Sequence, residues 1–372
     1  MGTPPLKRVR VCMLAVAALL LVPATASAAA RATVFADADA CTFGTFDVGN
    51  WPGACWRPYS PASPFNRVIP PNPRLAPNSA RIVSRLASWG RPENRLKVPA
   101  SRHARDYYHP WYLSRPGDPR FRVHCTAGWG RCAVEGRRVR IPDAARPANG
   151  PDAHMAVVDQ SSGWEYDFYG VRSKPRGGGR LTVRWGGRTR VTGPHAMGLG
   201  GDATASGFGL LAGVVRGPEA AALEIPHALF MNVECTGGRA VWPAHGTGRL
   251  CRQIGVAGSH APRLGTHFQL AMSDAQIDAL HAPPLQAAIL RAMAHYGMFV
   301  GDTGTSPWGL TFESDATYTS FGRRPALRAA FRRSGAHHYR DSLYNMWVLD
   351  TVPVDWAHRL RVIAPCVAHG RC

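Results

Sequence analysis

Eight cysteines in four close pairs constrain this chain more than any other feature. Cys41/Cys55, Cys125/Cys132, Cys235/Cys251 and Cys366/Cys372 each bracket a turn-rich segment. An even set at such spacings reads as a disulfide framework laid down in an oxidising compartment. Many connectivities are open to eight cysteines, and nearest-neighbour bridging is the expected one. Cys125-Thr-Ala-Gly-Trp-Gly-Arg-Cys132 reads as a hairpin tip clipped at its base. No pair has the spacing of a zinc finger. With every thiol oxidised, a cysteine nucleophile is not expected.

The ninth cysteine, Cys12, lies in an N-terminal leader. Lys7, Arg8 and Arg10 form a positive head, Cys12 to Val22 a short apolar run, and Ala26-Ser27-Ala28 a small-residue cleavage signal. That order is the secretory pattern, so residues 1–30 are expected to be a signal peptide and the protein to be exported. The run is too short to cross a bilayer, and no later stretch reaches the ~20 apolar residues of a membrane helix. Without the leader's three charges, 41 basic residues face 24 acidic ones, near +17. Most of the excess is arginine. It is either a surface for an anionic partner, such as a polyuronate or teichoic-type polymer, or a compositional bias shared with abundant Ala, Gly and Pro. Basic runs with interleaved aromatics are missing, so nucleic acid is not an expected partner.

Residues 31–110 are expected to form an extended N-terminal wrap, rich in Pro, Gly and aromatics, carrying one helix from Ser79 to about Trp89. Residues 111–372 are expected to form a β-rich main body, compact with the wrap. Hairpins are predicted at Phe121–Cys125 with Cys132–Ile141, and at His154–Asp159 with Trp164–Tyr169. Two more are predicted at Leu181–Trp185 with Arg188–Val191, turning at Gly186-Gly187, and at His227–Cys235 with Arg239–Trp242. Thr266–Met272 reads as a further strand and Met298–Gly301 as a short buried one. Short helices are predicted at Ser206–Val215, Asp274–Leu280, Pro284–Tyr296 and Pro325–Arg333. Repeated hairpins imply a mainly β fold, an antiparallel sandwich or jelly-roll-like body with a few short peripheral helices.

Several polar residues stand where packing alone would call for apolar ones. Asp152 and His154 open a strand. Glu165, Asp167 and Tyr169 share one face of theirs, opposite Trp164, Tyr166 and Phe168. The aromatic face is expected in the core and the carboxylate face in solvent or a cleft, where two acids one pleat apart suit acid/base work. His227 and His245 are expected to meet at the mouth of the fourth hairpin, beside Trp242. Asp302 leaves the core at a glycine-flanked turn, followed by Trp308, Glu313 and Tyr318. Asp302-Thr-Gly also matches a tripeptide of aspartic proteases, but those need two carboxylates sharing a proton and no second copy is present. Calcium is conceivable from Asp and Gly turns, yet no EF-hand loop exists, so no metal or other cofactor is expected.

Ser63-Pro-Phe-Asn-Arg-Val-Ile-Pro70, Asp152-Ala-His-Met155, Gly163-Trp-Glu-Tyr-Asp-Phe-Tyr169, His227-Ala-Leu229 and Tyr296-Gly-Met-Phe-Val-Gly-Asp302 together resemble a family of secreted proteins from actinobacteria and their relatives. The resemblance spans most of the chain after the leader. It implies export and a shared fold, and carries no activity or site residues.

These residues lead to an expected carbohydrate-active enzyme acting on an extracellular or cell-wall polysaccharide. Hydrolysis would use two carboxylates among Asp152, Glu165, Asp167 and Asp302. Elimination would use His227, His245 or a tyrosine as base, with an arginine or Gln269 facing a uronate. Substrate contacts are expected from Glu165, Tyr169, Trp242, Gln269 and Trp308. A non-catalytic glycan-binding or envelope module is the alternative. The chain is expected to act as a monomer.

Overall fold

Alternation of apolar and polar side chains decides the first half of the body. The structure is a computed structural model that describes residues 1–2, 42–44, 52–90, 95–198, 202–304, 308–340 and 344–372. Residues 3–30 of the proposed signal peptide and Cys41 therefore lie outside the described residues. Strands β2 (Trp111–Leu113), β5 (Met155–Asp159), β6 (Trp164–Tyr169) and β8 (Trp185–Arg190) form a sheet in the order β2-β5-β6-β8. A second sheet has the order β4-β3-β7, from β3 (Arg120–Cys125), β4 (Arg138–Arg140) and β7 (Gly179–Val183). Phe121, Val123, Val139, Leu181 and Val183 of the second sheet meet Tyr112, Met155, Val157, Tyr166 and Phe168 of the first in one buried cluster. Each such side chain contributes roughly 1.5–3 kcal/mol on burial. This is a sandwich, as the hairpin pattern implied.

A five-stranded sheet carries the other half, in the order β12-β9-β11-β10-β15. Its strands are β9 (Leu229–Val233), β10 (His267–Leu270), β11 (Met298–Thr303), β12 (Trp308–Leu310) and β15 (Leu360–Ile363). The helix Pro284–His295 packs on it and buries Leu285, Ala288, Ile289 and Met293. β1 (Arg95–Pro99), β13 (His337–Arg340) and β14 (Asn345–Asp350) make a small third sheet, ordered β1-β14-β13. Most strand neighbours are antiparallel; β2/β5, β3/β7 and β9/β11 are parallel. Three nearest-neighbour disulfides are present, Cys125–Cys132, Cys235–Cys251 and Cys366–Cys372, and Cys55 is also disulfide-bonded. Among the described residues no helix is long and apolar enough to cross a membrane.

The second hairpin, the strand at 267–270 and the helices after Ser273, Pro283 and Pro325 form where expected. The first hairpin forms only between Arg120–Arg122 and Arg138–Arg140, because residues 133–136 turn and Val123–Cys125 pair with β7 instead. Three expectations are corrected. The third hairpin does not exist: β7 pairs with β3, while β8 runs straight through Gly186-Gly187 and pairs with β6. Gly186 is there for close approach, since a Cβ would lie 2.5 Å from the Asp167 carbonyl oxygen. The fourth hairpin is absent too, because β9 lies between β11 and β12 and residues 239–242 stay irregular. Residues 206–215 form turns rather than a helix. Their amides are drawn to buried carboxylates, with Leu210 N–H donating to Asp167 Oδ1 (3.2 Å) and Leu211 N–H to Glu165 Oε1 (2.9 Å). The carboxylate face of β6 is accordingly not solvated; Glu165 and Asp167 are fully buried under this segment.

The N-terminal segment enters the core rather than only draping it. Tyr59 and Phe65 belong to the largest apolar cluster, and Arg57 Nη1 donates to the Pro226 carbonyl at 2.7 Å. Gly186→Ala should lower stability by about 1–3 kcal/mol through overpacking, read as a fall in the thermal midpoint. An unchanged midpoint would mean that β6 and β8 do not approach so closely there.

Candidate active site

Two backbone features aim the acids of the site. At the start of β5, Gly170 N–H donates to the Asp152 carbonyl (2.7 Å) and Val171 N–H to the Ala153 carbonyl (3.2 Å). These bonds hold Ala153 at φ +37, a left-handed backbone costing an L-residue roughly 1–2 kcal/mol. They also bring Asp152 beside Tyr169 at the end of β6. In β11 the register against β9 slips between Val300 and Asp302, so Asp302 falls opposite Asn232. The bulge turns Asp302 to the same side as Asn232, and both line one cavity. Gly301 permits it, because a Cβ there would meet the Phe230 ring at 2.3 Å.

The cavity has a volume of about 790 Å³. Asp152, His154, Tyr169, Asp202, Asp302 and Trp308 are among its walls. Asp302 accepts the Thr303 N–H at Oδ1 (2.7 Å) and the Ala205 N–H at Oδ2 (3.2 Å). Burial lifts its pKa to about 6 against those hydrogen bonds, with the negative charge of Asp152 adding to the rise. Asp152 is also raised by burial, opposed by Arg184 and Tyr169. His154 is pushed down to about 4 by burial, and its ring nitrogens face the backbone of Ala203 and Tyr107. It packs edge-on against His109, whose pKa burial also depresses strongly, so both are neutral imidazoles at pH 7.

Aromatic side chains crowd the same cavity. Trp129, exposed at the clipped hairpin tip, stands 6.0 Å from Tyr169 and 5.8 Å from Trp185 between ring centres. The Arg184 guanidinium covers Trp129 and Tyr169 at 5.3 and 5.5 Å. Trp308 meets Trp356 edge to face at 5.3 Å. Aromatic rings at a cavity wall can serve as platforms for the apolar face of a sugar, and nearby carboxylates and carbonyls can take its hydroxyls.

Beneath Asp202 the three acids Glu165, Asp167 and Asp202 form one buried group. Tyr59 O–H donates to Glu165 Oε2 (2.8 Å) and Thr189 O–H to Asp202 Oδ2 (2.9 Å). Burial and mutual repulsion hold Asp167 well above the usual carboxylate range and bring Asp202 to about 8. Asp202 therefore carries a proton near neutrality, and the three acids titrate as one group.

The cavity thus gathers Asp152, His154, Tyr169, Asp302 and Trp308 from the sequence-predicted set. Glu165 and Asp167 lie outside its walls. His227 and His245 do not meet: His227 is buried with Nε2 3.2 Å from Glu219 Oε2, while His245 is exposed against Gly207. Gln269 ties β10 to the helix, donating to the Ala294 carbonyl at 2.6 Å and accepting from Arg361 at 2.8 Å. Trp242 stacks on His369 at 3.4 Å. Sequence reasoning missed Asp106, His109, Trp129, Trp185, Asp202 and Asn232. The run Arg105-Asp-Tyr-Tyr-His109, a dense polar-aromatic stretch of the supposed wrap, is the signal that could have found two of them, Asp106 and His109. Among the described residues no group of three or more His, Cys, Asp or Glu is arranged around a metal position. Set against known protein families, curated proteins and solved structures, the chain finds no match in any of the three comparisons.

The raised acids set a pH dependence. A carboxyl whose pKa rises on folding contributes stability that is full below its unfolded value and is lost as pH climbs through the folded value. Asp202 at about 8, and Asp106 and Glu313 at about 7, titrate above the range of unfolded histidine. The thermal midpoint should therefore rise as pH falls from about 8.5 to about 7, and Asp202→Asn should flatten that slope. Further acidification brings in His109 and His154, whose lowered pKa values cost stability as pH falls toward about 4. A midpoint that falls between about 8.5 and 7 would contradict the protonated cluster.

Proposed function

We propose that this chain is an exported hydrolase of glycosidic bonds in an extracellular or cell-wall polysaccharide. The observation that carries the reading is the delivery of Asp152, from the turn before β5, and of Asp302, from the bulge in β11, into one aromatic-lined cavity. Glycoside hydrolysis needs two carboxyl groups in different protonation states flanking one bond. Asp302, raised to about 6, is suited to donate a proton to the leaving oxygen. Asp152, raised by burial but with Arg184 and Tyr169 favouring its charged form, is suited to act as nucleophile or to activate water. Trp129, Tyr169 and Trp185 supply the stacking surface.

Hydrolysis is favoured over elimination because neither His227 nor His245 lines the cavity. Tyr169 is a poor base there, since burial and Asp152 raise its pKa. Export follows from the leader pattern together with the disulfides.

The test is to incubate the mature protein with a polysaccharide panel, scoring new reducing ends separately from unsaturated products. Reducing ends without unsaturation are expected. Asp302→Asn should cut kcat about 10²–10⁴-fold while the thermal midpoint holds within a few degrees. The alkaline limb of kcat/KM should lie near pH 6 and disappear in that variant. Glycan binding without turnover would instead support a non-catalytic module, and unsaturated products would support elimination.

A further inference from the structure

The outward face of β4-β3-β7 carries an array that the cavity does not use. Phe121, Val123, Val139, Leu181 and Val183 point into the sandwich, so Arg120, Arg122, Arg138, Arg140 and Arg180 point out. The register sets like against like. Arg120 lies opposite Arg140, and Arg122 lies between Arg138 and Arg180. Like charges directly opposite one another destabilise a sheet. Among the described residues none of the five forms an ion pair or side-chain hydrogen bond, and none lines the cavity.

The neighbouring acids are engaged elsewhere. Glu135 accepts the Cys125 N–H (2.6 Å) and lies 3.5 Å from His124. Asp118 accepts the Arg115 N–H at 2.7 Å. Asp143 accepts the Gly177 N–H at 2.8 Å and faces Lys174 at 4.0 Å. The positive surface extends further, because Arg131, Arg137 and Arg188 line a hollow beside His124. Arg188 and Arg190 each cover the Trp164 ring at 4.0 Å.

We propose that this arginine face binds a linear anionic polysaccharide, a polyuronate bearing regularly repeated carboxylates. Guanidinium forks match carboxylates in two-point hydrogen bonds. A pleated sheet spaces such forks about 4.8 Å apart across strands and about 7 Å apart along them, the scale on which charges repeat along a sugar chain. A compositional surplus of arginine does not explain five of them in cross-strand register on one face. The inference goes beyond the cleavage reading, since a chain held here need not be the one cut.

The test compares the mature protein with the triple variant R122Q/R138Q/R180Q for binding to polygalacturonate, at low and moderate salt. Wild type should bind, weakening as salt screens the charges. The triple variant should bind at least tenfold more weakly, with a smaller salt dependence. Its thermal midpoint should be equal or higher, because the opposed charges are gone. A triple arginine-to-lysine variant should fall between the two. Equal affinity of wild type and the glutamine variant, or no binding by wild type, overturns the proposal. So does displacement of polygalacturonate by a DNA duplex at lower charge concentration, which would mark a nucleic-acid surface. Binding is read without turnover, so a protein that cleaves nothing still gives a decisive result.

Discussion

Burial of Glu165 and Asp167 is the constraint on which the rest of the molecule depends. Two acids on one face of a central strand cannot stay there as separate bare charges without a large desolvation penalty. They are accommodated by a raised, protonated Asp202 beside them, by the Tyr59 hydroxyl and by the amides of Leu210 and Leu211. Those amides are available only because residues 206–215 are not helical. Once that segment is pinned to β6, Ala205 can donate to Asp302 and Ser206 to the Gly301 carbonyl. The buried acids thus hold one wall of the cavity against another, although they do not line it with their own reactive groups.

A second buried ionic group performs the same service for the N-terminal segment. Arg216 pairs with Glu219 at 2.6 Å and donates to the carbonyls of Gly53, Ala54 and Trp56. Glu219 in turn holds His227. Glu313, raised to about 7 by burial, accepts from the Trp111 indole and the Gly217 amide, both at 2.6 Å. Leaving one member of such a set unpaired costs more than the set contributes when intact. This is why irregular chain between residues 52 and 66 sits in the core.

Two parts of the surface divide the charge of the molecule. The cavity holds acids whose negative charge is suppressed by burial, and the outer sheet holds arginines whose positive charge is left open to solvent. The apolar interior of the sandwich fixes the arginine face, because each strand has only two faces. Inward Phe121 and Val123 dictate outward Arg120 and Arg122.

The sequence by itself determined the mainly β architecture, the β5–β6 hairpin and the helix after Pro283, and it made short-range bridging the expectation that three observed disulfides meet. Each rests on contacts between residues close in the chain, where periodicity and turn chemistry act. It also marked Asp152, His154, Tyr169 and Asp302 as out of place for packing. Only the tertiary structure decided that Gly186 admits a neighbouring strand rather than a turn, and that a bulge at Gly301 turns Asp302 into the cavity. Only the tertiary structure separated His227 from His245 and buried Glu165 and Asp167. Those outcomes depend on which distant strand lies alongside, and a period-two pattern records that a side chain faces one way without recording what covers it.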